Sequence, residues 1–476
     1  MSWFQAPQYW FARLVFDRGL AVIYVIAFVC AARQFRGLLG ARGLLPIPRY
    51  LRRVRFWAAP SIFHLRYSDR LFAAVAWSGA LLAAAMAGGL GDAVPLWAAM
   101  LCWLVLWALY SSIVNVGQVW YGFGWETLLL ETGFLAIFLG NASIAPPVLV
   151  VWLVRWLLLR VEFGAGLIKL RGDRCWRDLT CLRYHHETQP MPGPLSWFFH
   201  HLPDPLHRVE VAGNFAAQLA APLLLFTPQP VASVAAAVMI VTQLWLVASG
   251  NFAWLNWLTI ALALPAIDTA RLGRLVPLPA PGPLAAPPAW YGALVIAFTV
   301  AVAALSYRPV RNLLSRGQVM NTTFDPLRLV NSYGAFGSVT RQRYELVIEG
   351  AAEAEVTPGT QWREYEFRGK PGDPRRWPAQ VAPYHLRLDW LMWFAALPGG
   401  YGESWLPPLL RRLLAGDLEV TRLLRVNPFP DAPPAVIRVR RYRYRYTSWR
   451  ELRQTGAWWH REPAGEYLPP TSLDRL

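Results

Sequence analysis

Most of the first 307 residues fall into nine apolar runs, at 14–32, 71–90, 95–115, 127–145, 148–169, 208–227, 231–249, 252–267 and 289–307. A helix needs about 20 mostly apolar residues to cross the hydrocarbon of a bilayer. The runs therefore predict a polytopic α-helical membrane protein. The run 127–145 carries Glu131 and 252–267 is short, so either is a candidate re-entrant segment. The expected count is eight or nine transmembrane helices within a 1–307 domain.

Composition agrees. Charged residues make up 16% and apolar residues 55% of the chain, and mean hydropathy is +0.28. A soluble domain carries about 25% charge. The 25 Trp and 18 Tyr suit the interfacial belts of a membrane protein. The net charge of +17 is dispersed: residues 1–307 hold 21 basic and 12 acidic side chains, and 308–476 hold 25 and 17. No Lys-rich tail accompanies it. Anionic lipid headgroups, not nucleic acid, are the expected partner of this charge. The start "MSWFQAPQYWFARLVFDRGL" has no short basic region, and no small-residue cleavage site follows the first run. It reads as the first membrane helix, not a cleavable signal.

The character changes after a Pro-rich linker at 268–288, a last span and a connector at 308–319. "RYELVIEG", "QWREYEFRGK" and "AVIRVRRYRYRY" are short β-prone runs separated by turn material such as "VTPGT" and "KPGDP". A helix is expected at 405–415. Residues 320–476 are thus predicted to form a soluble, mostly-β domain, a sandwich docked against the bilayer.

Charges inside membrane spans are rare and usually functional. The run "PPVLVVWLVRWLLLRVEFGAGLIKLRGD" holds Arg155, Arg160, Glu162 and Lys169. Arg155, Glu162 and Lys169 recur every seven residues, which sets them on one stripe of a helix at steps of about 10 Å. Arg160 lies off the stripe, and Glu131 on the preceding span is its natural partner, or that of Arg155. One reading is a structural ion-pair network. The other is a polar cavity with Lys169, one of only two lysines in the chain, near its mouth. A partly buried lysine can serve as a general base. Glu162 and His185 complete this candidate catalytic set, and Gly164 and Gly166 would permit close packing beside it.

The polar loop 170–207 contains "CWRDLTCLRYHHETQPMPGPLSWFFHHLPDPLH" and five of the eight histidines: His185, His186, His200, His201 and His207. A zinc site drawn from these with Glu187, Cys175 and Cys181 matches no ordered metal-ligand spacing. No metal and no cofactor are expected. Cys175 and Cys181 are close enough to form a disulfide, with two free thiols as the alternative. P-loop, Rossmann, G-x-S-x-G and H-E-x-x-H motifs are absent from the sequence.

Long ordered stretches resemble the lipase maturation factor family: "NVGQVWYGFGWETLLLETGFLAI", "WLVRWLLLRVEFGAGLIKL", "CWRDLTCLRYHHETQPMPGPLSWFFHHLP", "SGNFAWLNWLTI", "LVNSYGAFGSVTRQRYELVIEG", "WREYEFRGKPGDPRRWP" and "PYHLRLDWLMWFAALP". The resemblance ends near "RVRRYRYRYTS" and covers about 30 to 446. The resemblance implies a multi-pass endoplasmic-reticulum membrane protein. It also implies a C-terminal domain that meets exported clients, secreted lipases among them. Tyr384, Asp389, Trp390 and Trp393 in the last stretch are the candidate partner-binding residues. A shorter stretch, "FGAGLIKLRGDRCW", resembles the A-G-x-x-K-L segment of the vitamin K-dependent γ-carboxylase and the wider HTTM membrane family, whose lysine base falls on Lys169. This supports the alternative of a membrane enzyme.

Two signals of sidedness conflict. Loop 33–70 carries nine Arg and one Asp, and loop 170–207 also carries more Arg than the short loops on the other side. The positive-inside rule makes both cytoplasmic. The cysteine pair and the family resemblance favour the opposite, with the C-terminal domain outside the cytoplasm and 33–70 lying along the outer leaflet as an interfacial helix. The Arg bias and the ending "SLDRL" point to a bacterial inner membrane and a periplasmic C-terminal domain.

Overall fold

The computed structural model describes residues 2–275 and 282–476; the middle of the Pro-rich linker, 276–281, lies outside them. Five helical stretches are long and apolar enough to cross a membrane: Pro7–Leu38, Asp69–Gly88, Leu96–Val116, Val231–Ser249 and Ala289–Leu314. The principal helices are α1 (Trp10–Leu38), α2 (Asp69–Gly88), α3 (Leu96–Val116), α4 (Gly124–Ala136), α5 (Val148–Arg171), α6 (Leu182–Thr188), α7 (Asp204–Phe215), α8 (Val231–Ser249), α9 (Leu255–Ala263) and α10 (Ala289–Leu305). Five such stretches give the chain the character of a multi-pass membrane protein.

The other four expected spans are helical but differ from a simple crossing. α5 has the length, and its charges set it apart. α4 stops at Ala136, well short of the predicted 145. The run 208–227 is divided between α7, a π-helical turn at Ala216–Ala220 and a short helix at Ala221–Leu224. α9 has only nine residues before a 3-10 turn begins at Leu264, whose second residue is Pro265; proline lacks the N–H that would extend the α-helix.

Local signals mark the ends. Ser68 caps α2 by accepting the Leu71 N–H. Gly89 ends it in the left-handed region, at φ 112°. α1 packs along α2 and α9, and on the long apolar helices one face is buried while the other is exposed. The exposed Leu81, Trp97, Val234, Val241 and Val300 lie on such outer faces. The expected interfacial helix at 33–70 is instead a succession of short turns, at Ile47–Leu51, Phe56–Ala58 and Ile62–His64. Pro46, Pro48 and Pro60 break it up. Trp57 and Leu65 project from this segment almost fully exposed.

The C-terminal region holds one antiparallel sheet in the order β2-β1-β3-β4, from β1 (Arg343–Ala351), β2 (Arg363–Glu364), β3 (Val436–Tyr446) and β4 (Trp459–Thr471). Among the described residues this is one four-stranded sheet, and the expected two-sheet sandwich is not seen. Only two residues of "QWREYEFRGK" pair as a strand, and the sheet packs on helices α11 (Arg387–Ala395) and α12 (Leu406–Leu414) and on the membrane domain. In β3, alternation of Val, Ile and Tyr with Arg follows the two-residue period of a strand. β4 is an edge strand with irregular register against β3; Pro463, Pro469 and Pro470 are tolerated there because an edge needs fewer donors. One continuous apolar core runs from α1 through α4 to α11, α12 and β3. The helical and C-terminal regions share it.

Candidate functional site

The two carboxylates of α4 anchor this union. Glu131 is buried and pairs with Arg160 of α5, one of the two partners the sequence leaves open for it. It also accepts hydrogen bonds from Asn331 N (3.0 Å), Asn331 Nδ2 (2.9 Å) and Tyr333 Oη (2.7 Å). Arg160 donates to the Asn331 carbonyl at 2.6 Å. Burying two charges costs several kcal/mol per ion, and a pair repays it only when its remaining hydrogen-bonding positions are filled. Here the chain entering the C-terminal domain fills those of Glu131 and one of Arg160, whose Nε has no partner among the described residues. A Cβ on Gly164 would collide with the Tyr333 carbonyl, so glycine permits this close approach.

Glu126, one turn earlier, is a residue that sequence reasoning misses. It accepts from Tyr110 Oη at 2.5 Å and Arg387 Nη1 at 2.6 Å. Arg387 also donates to the Trp120 carbonyl at 2.6 Å and stacks over the Tyr121 ring at 3.5 Å. Gln34 of α1 clamps the same strand of chain: its Nε2 donates to the His385 carbonyl (2.7 Å) and its Oε1 accepts from Arg387 N (3.1 Å). His385 sits in a cage of Phe123, Trp125, Trp254 and Trp390. Burial, then the Arg387 charge, pushes its pKa well below the usual value.

The charged stripe of α5 is resolved differently. Arg155 donates to the Leu225 carbonyl at 3.0 Å and lies over Tyr9. Glu162 accepts from Gln243 Nε2 at 2.7 Å, and Gln243 in turn accepts from Asn256 at 2.6 Å. Lys169 donates to Asn214 Oδ1 and Gln218 Oε1, both at 2.9 Å, and lies over the Trp176 ring. Neutral amides therefore separate Glu162 from Lys169. A surface depression of about 420 Å³ opens nearby, lined by Ile168, Arg171, Asp173, Arg316, Gln318 and Met320. Ile168 and Arg171 reach it, while Lys169 faces the other way. His185 is buried between Phe252 and Phe336. Burial first, and then His186 and Lys169, hold its pKa at about 3, so it is neutral at physiological pH.

The candidate partner-binding residues face inward. Asp389 accepts the Gly369 N–H at 2.6 Å and Trp390 is buried against Phe123 and Trp125. Trp393, half-buried, donates to the Thr188 carbonyl at 2.9 Å, and Gln34 donates to Tyr384 Oη at 3.2 Å. Tyr384, Trp390 and Trp393 hold the C-terminal domain on the membrane domain, whereas Asp389 bonds within the C-terminal domain. Burial removes Asp389 and Trp390 from any partner-facing surface. The second lysine, Lys370, is buried as well and pairs with Glu345 at 2.9 Å.

Loop 170–207 joins the same seam. Cys175 and Cys181 form a disulfide. The Asp173 N–H donates to the Gly337 carbonyl at 2.8 Å, and Arg341 pairs with Asp173 at 2.8 Å; that guanidinium holds the Asp173 carboxyl below its usual range. Arg343 of β1 donates to the carbonyls of Glu187, Gln189 and Pro190. With its cysteines bridged, the loop cannot supply a zinc site that uses Cys175, Cys181 and Glu187. Instead His186 on α6 meets His207 and Glu210 on α7. The polar loop as read from the sequence ends at His207 and leaves Glu210 out. Its signal is present in "HRVE", which puts His207 and Glu210 three apart on one helical face.

Known proteins match this chain in sequence over both regions. The lipase maturation factor transmembrane-domain model matches residues 11–274, and the lipase maturation factor C-terminal-domain model matches 329–469. The chain belongs to the lipase maturation factor family. Lipase maturation factor 1 of Bos taurus is 43% identical over 99% of this chain and 91% of the relative. Lipase maturation factor 1 of Homo sapiens is 42% identical, over 98% and 89%. Lipase maturation factor 2 of Homo sapiens is 30% identical, over 97% and 82%. No solved structure matches the chain.

Proposed function

We propose that this chain is a membrane-anchored maturation factor that assists the folding of an exported client, a secreted lipase in the first instance. The observation that carries this reading is similarity along the whole chain: 43% identity to lipase maturation factor 1 of Bos taurus extends over both regions and the seam between them. In this reading the helices hold the C-terminal region at the membrane surface, where a newly exported chain emerges. The disulfide in loop 170–207 supports placing that face in an oxidising compartment, against the positive-inside count. That compartment is the endoplasmic-reticulum lumen in a eukaryotic cell or the periplasm in a bacterial one. Loop 170–207 hydrogen-bonds to the C-terminal sheet, so the two would lie on the same side. The dispersed arginines and the exposed Trp57 and Leu65 of 33–70 would meet lipid headgroups. α5 would be embedded with the five apolar helices, its charges satisfied inside the bundle.

Lys169 supports this reading over the enzyme. Its amine already donates to two amides and faces an aromatic ring, which is the setting of a structural cation.

The test is complementation. Cells lacking their own lipase maturation factor are given this chain together with a secreted lipase. Secreted lipase activity is expected to rise well above the empty-vector level. Activity that stays at that level, with the chain present in the membrane in normal amount, overturns the proposal.

A further inference from the structure

His186, His207 and Glu210 converge without bonding to one another. His186 Nε2 and His207 Nδ1 each lie 3.7 Å from Glu210 Oε2, beyond hydrogen-bond range. The three ligand atoms lie within 4.8 Å of one another. Both rings are buried, at 1% and 2% exposure. His186 Nδ1 and Nε2, His207 Nδ1 and Glu210 Oε2 have no hydrogen-bond partner among the described residues. Buried polar atoms are nearly always paired, and each exception requires an explanation.

The surroundings orient the three groups toward a common point. Trp245 donates to Glu210 Oε1 at 2.5 Å and leaves Oε2 directed at the rings. His207 Nε2 lies 3.4 Å from the His200 carbonyl, which favours the tautomer with its lone pair on Nδ1. Metal-bound histidines commonly carry such an outer hydrogen bond. Around a tetrahedral ion with bonds of about 2.0–2.2 Å, neighbouring ligand atoms sit about 3.3–3.6 Å apart. Small pivots of the two rings reach that spacing.

We propose that His186, His207 and Glu210 bind one divalent first-row transition metal ion, Zn²⁺ foremost. Two imidazoles and one carboxylate suit that class better than Ca²⁺ or Mg²⁺, which take oxygen ligands. The ion ties α6, beside the C-terminal sheet, to α7, the entry to the next membrane-domain helices. Glu210 is partly exposed as a residue, while its Oε2, the ligand atom, is buried.

The test uses the full-length protein in detergent, stripped with a chelator and titrated with Co²⁺. Saturation at one Co²⁺ per chain is expected, with visible absorption bands that Zn²⁺ abolishes. X-ray absorption of the Zn²⁺ form is expected to show two imidazoles in the shell. Glu210→Gln and His186→Asn should lose the bands, while His201→Asn should retain them. Binding to fewer than about one chain in ten, a shell without imidazole, or undiminished bands in both ligand variants would overturn the assignment. If those variants aggregate, the wild-type titration and shell decide it alone.

Discussion

The carboxylates of α4 and the charged stripe of α5 lie on neighbouring helices, yet they are satisfied in different ways. Glu126 and Glu131 are answered by a guanidinium each and by groups reaching in from the C-terminal part of the chain: Arg387, Asn331 and Tyr333. Glu162 and Lys169 are answered by neutral amides on helices of the membrane domain. The first arrangement joins two regions of the molecule; the second only fills the interior of one. Conspicuous charges in an apolar run thus divide into those that hold the architecture together and those that tune a bundle.

Breaking the first arrangement should cost most. Arg387→Met leaves Glu126 buried without its countercharge and is expected to lower stability by about 3–5 kcal/mol, measured by chemical denaturation in detergent. Asn331→Ala takes one side-chain donor from Glu131 while Arg160 remains. A loss of about 1–3 kcal/mol is expected in the same assay.

Acid should weaken the seam as well. His385 has its pKa lowered in the fold, so below about pH 6.5 the unfolded chain binds a proton that the native state does not. The stability is fully present above that pH and falls as pH drops through it, by about 1 kcal/mol between pH 6.5 and 5.5. His385→Phe should flatten that dependence. A slope unchanged in the variant would assign the acid sensitivity to other groups.

The smallest effect is expected at the stripe. Lys169→Met removes two hydrogen bonds but also the cost of burying the amine, so a net loss of only about 0.5–1 kcal/mol is expected. Lipase maturation in the complementation assay should survive it. A folded Lys169→Met protein without maturation activity would revive the lysine as a base.

Much of this is legible in the sequence, for a physical reason. A 20-residue apolar run and a charge within it are local signals, so α1, α2, α3, α8 and α10 can be read directly, and the partner of Glu131 narrows to Arg155 or Arg160. β1, β3 and α12 are found by alternation and helical spacing. The Glu126–Arg387 pair is not, because 261 residues separate its partners and nothing local marks them as neighbours. β4 is hidden by its prolines and by Gly465. The short α4 and α9 are overextended from sequence, because their continuing apolar runs give no sign of where helix stops. The inward turn of Asp389 and Trp390 escapes for the same reason: an aromatic, acidic motif looks like a docking surface until its cage is seen.

The central claim is that membrane helices and C-terminal region form one unit locked by these pairs. A protease site replacing Ser315–Gly317, an exposed turn between the two, tests it directly. After cleavage in detergent, the two fragments should elute together by size exclusion, and the same cut in Arg387→Met should release the C-terminal fragment. Separation of the fragments in the otherwise wild-type protein would contradict the account.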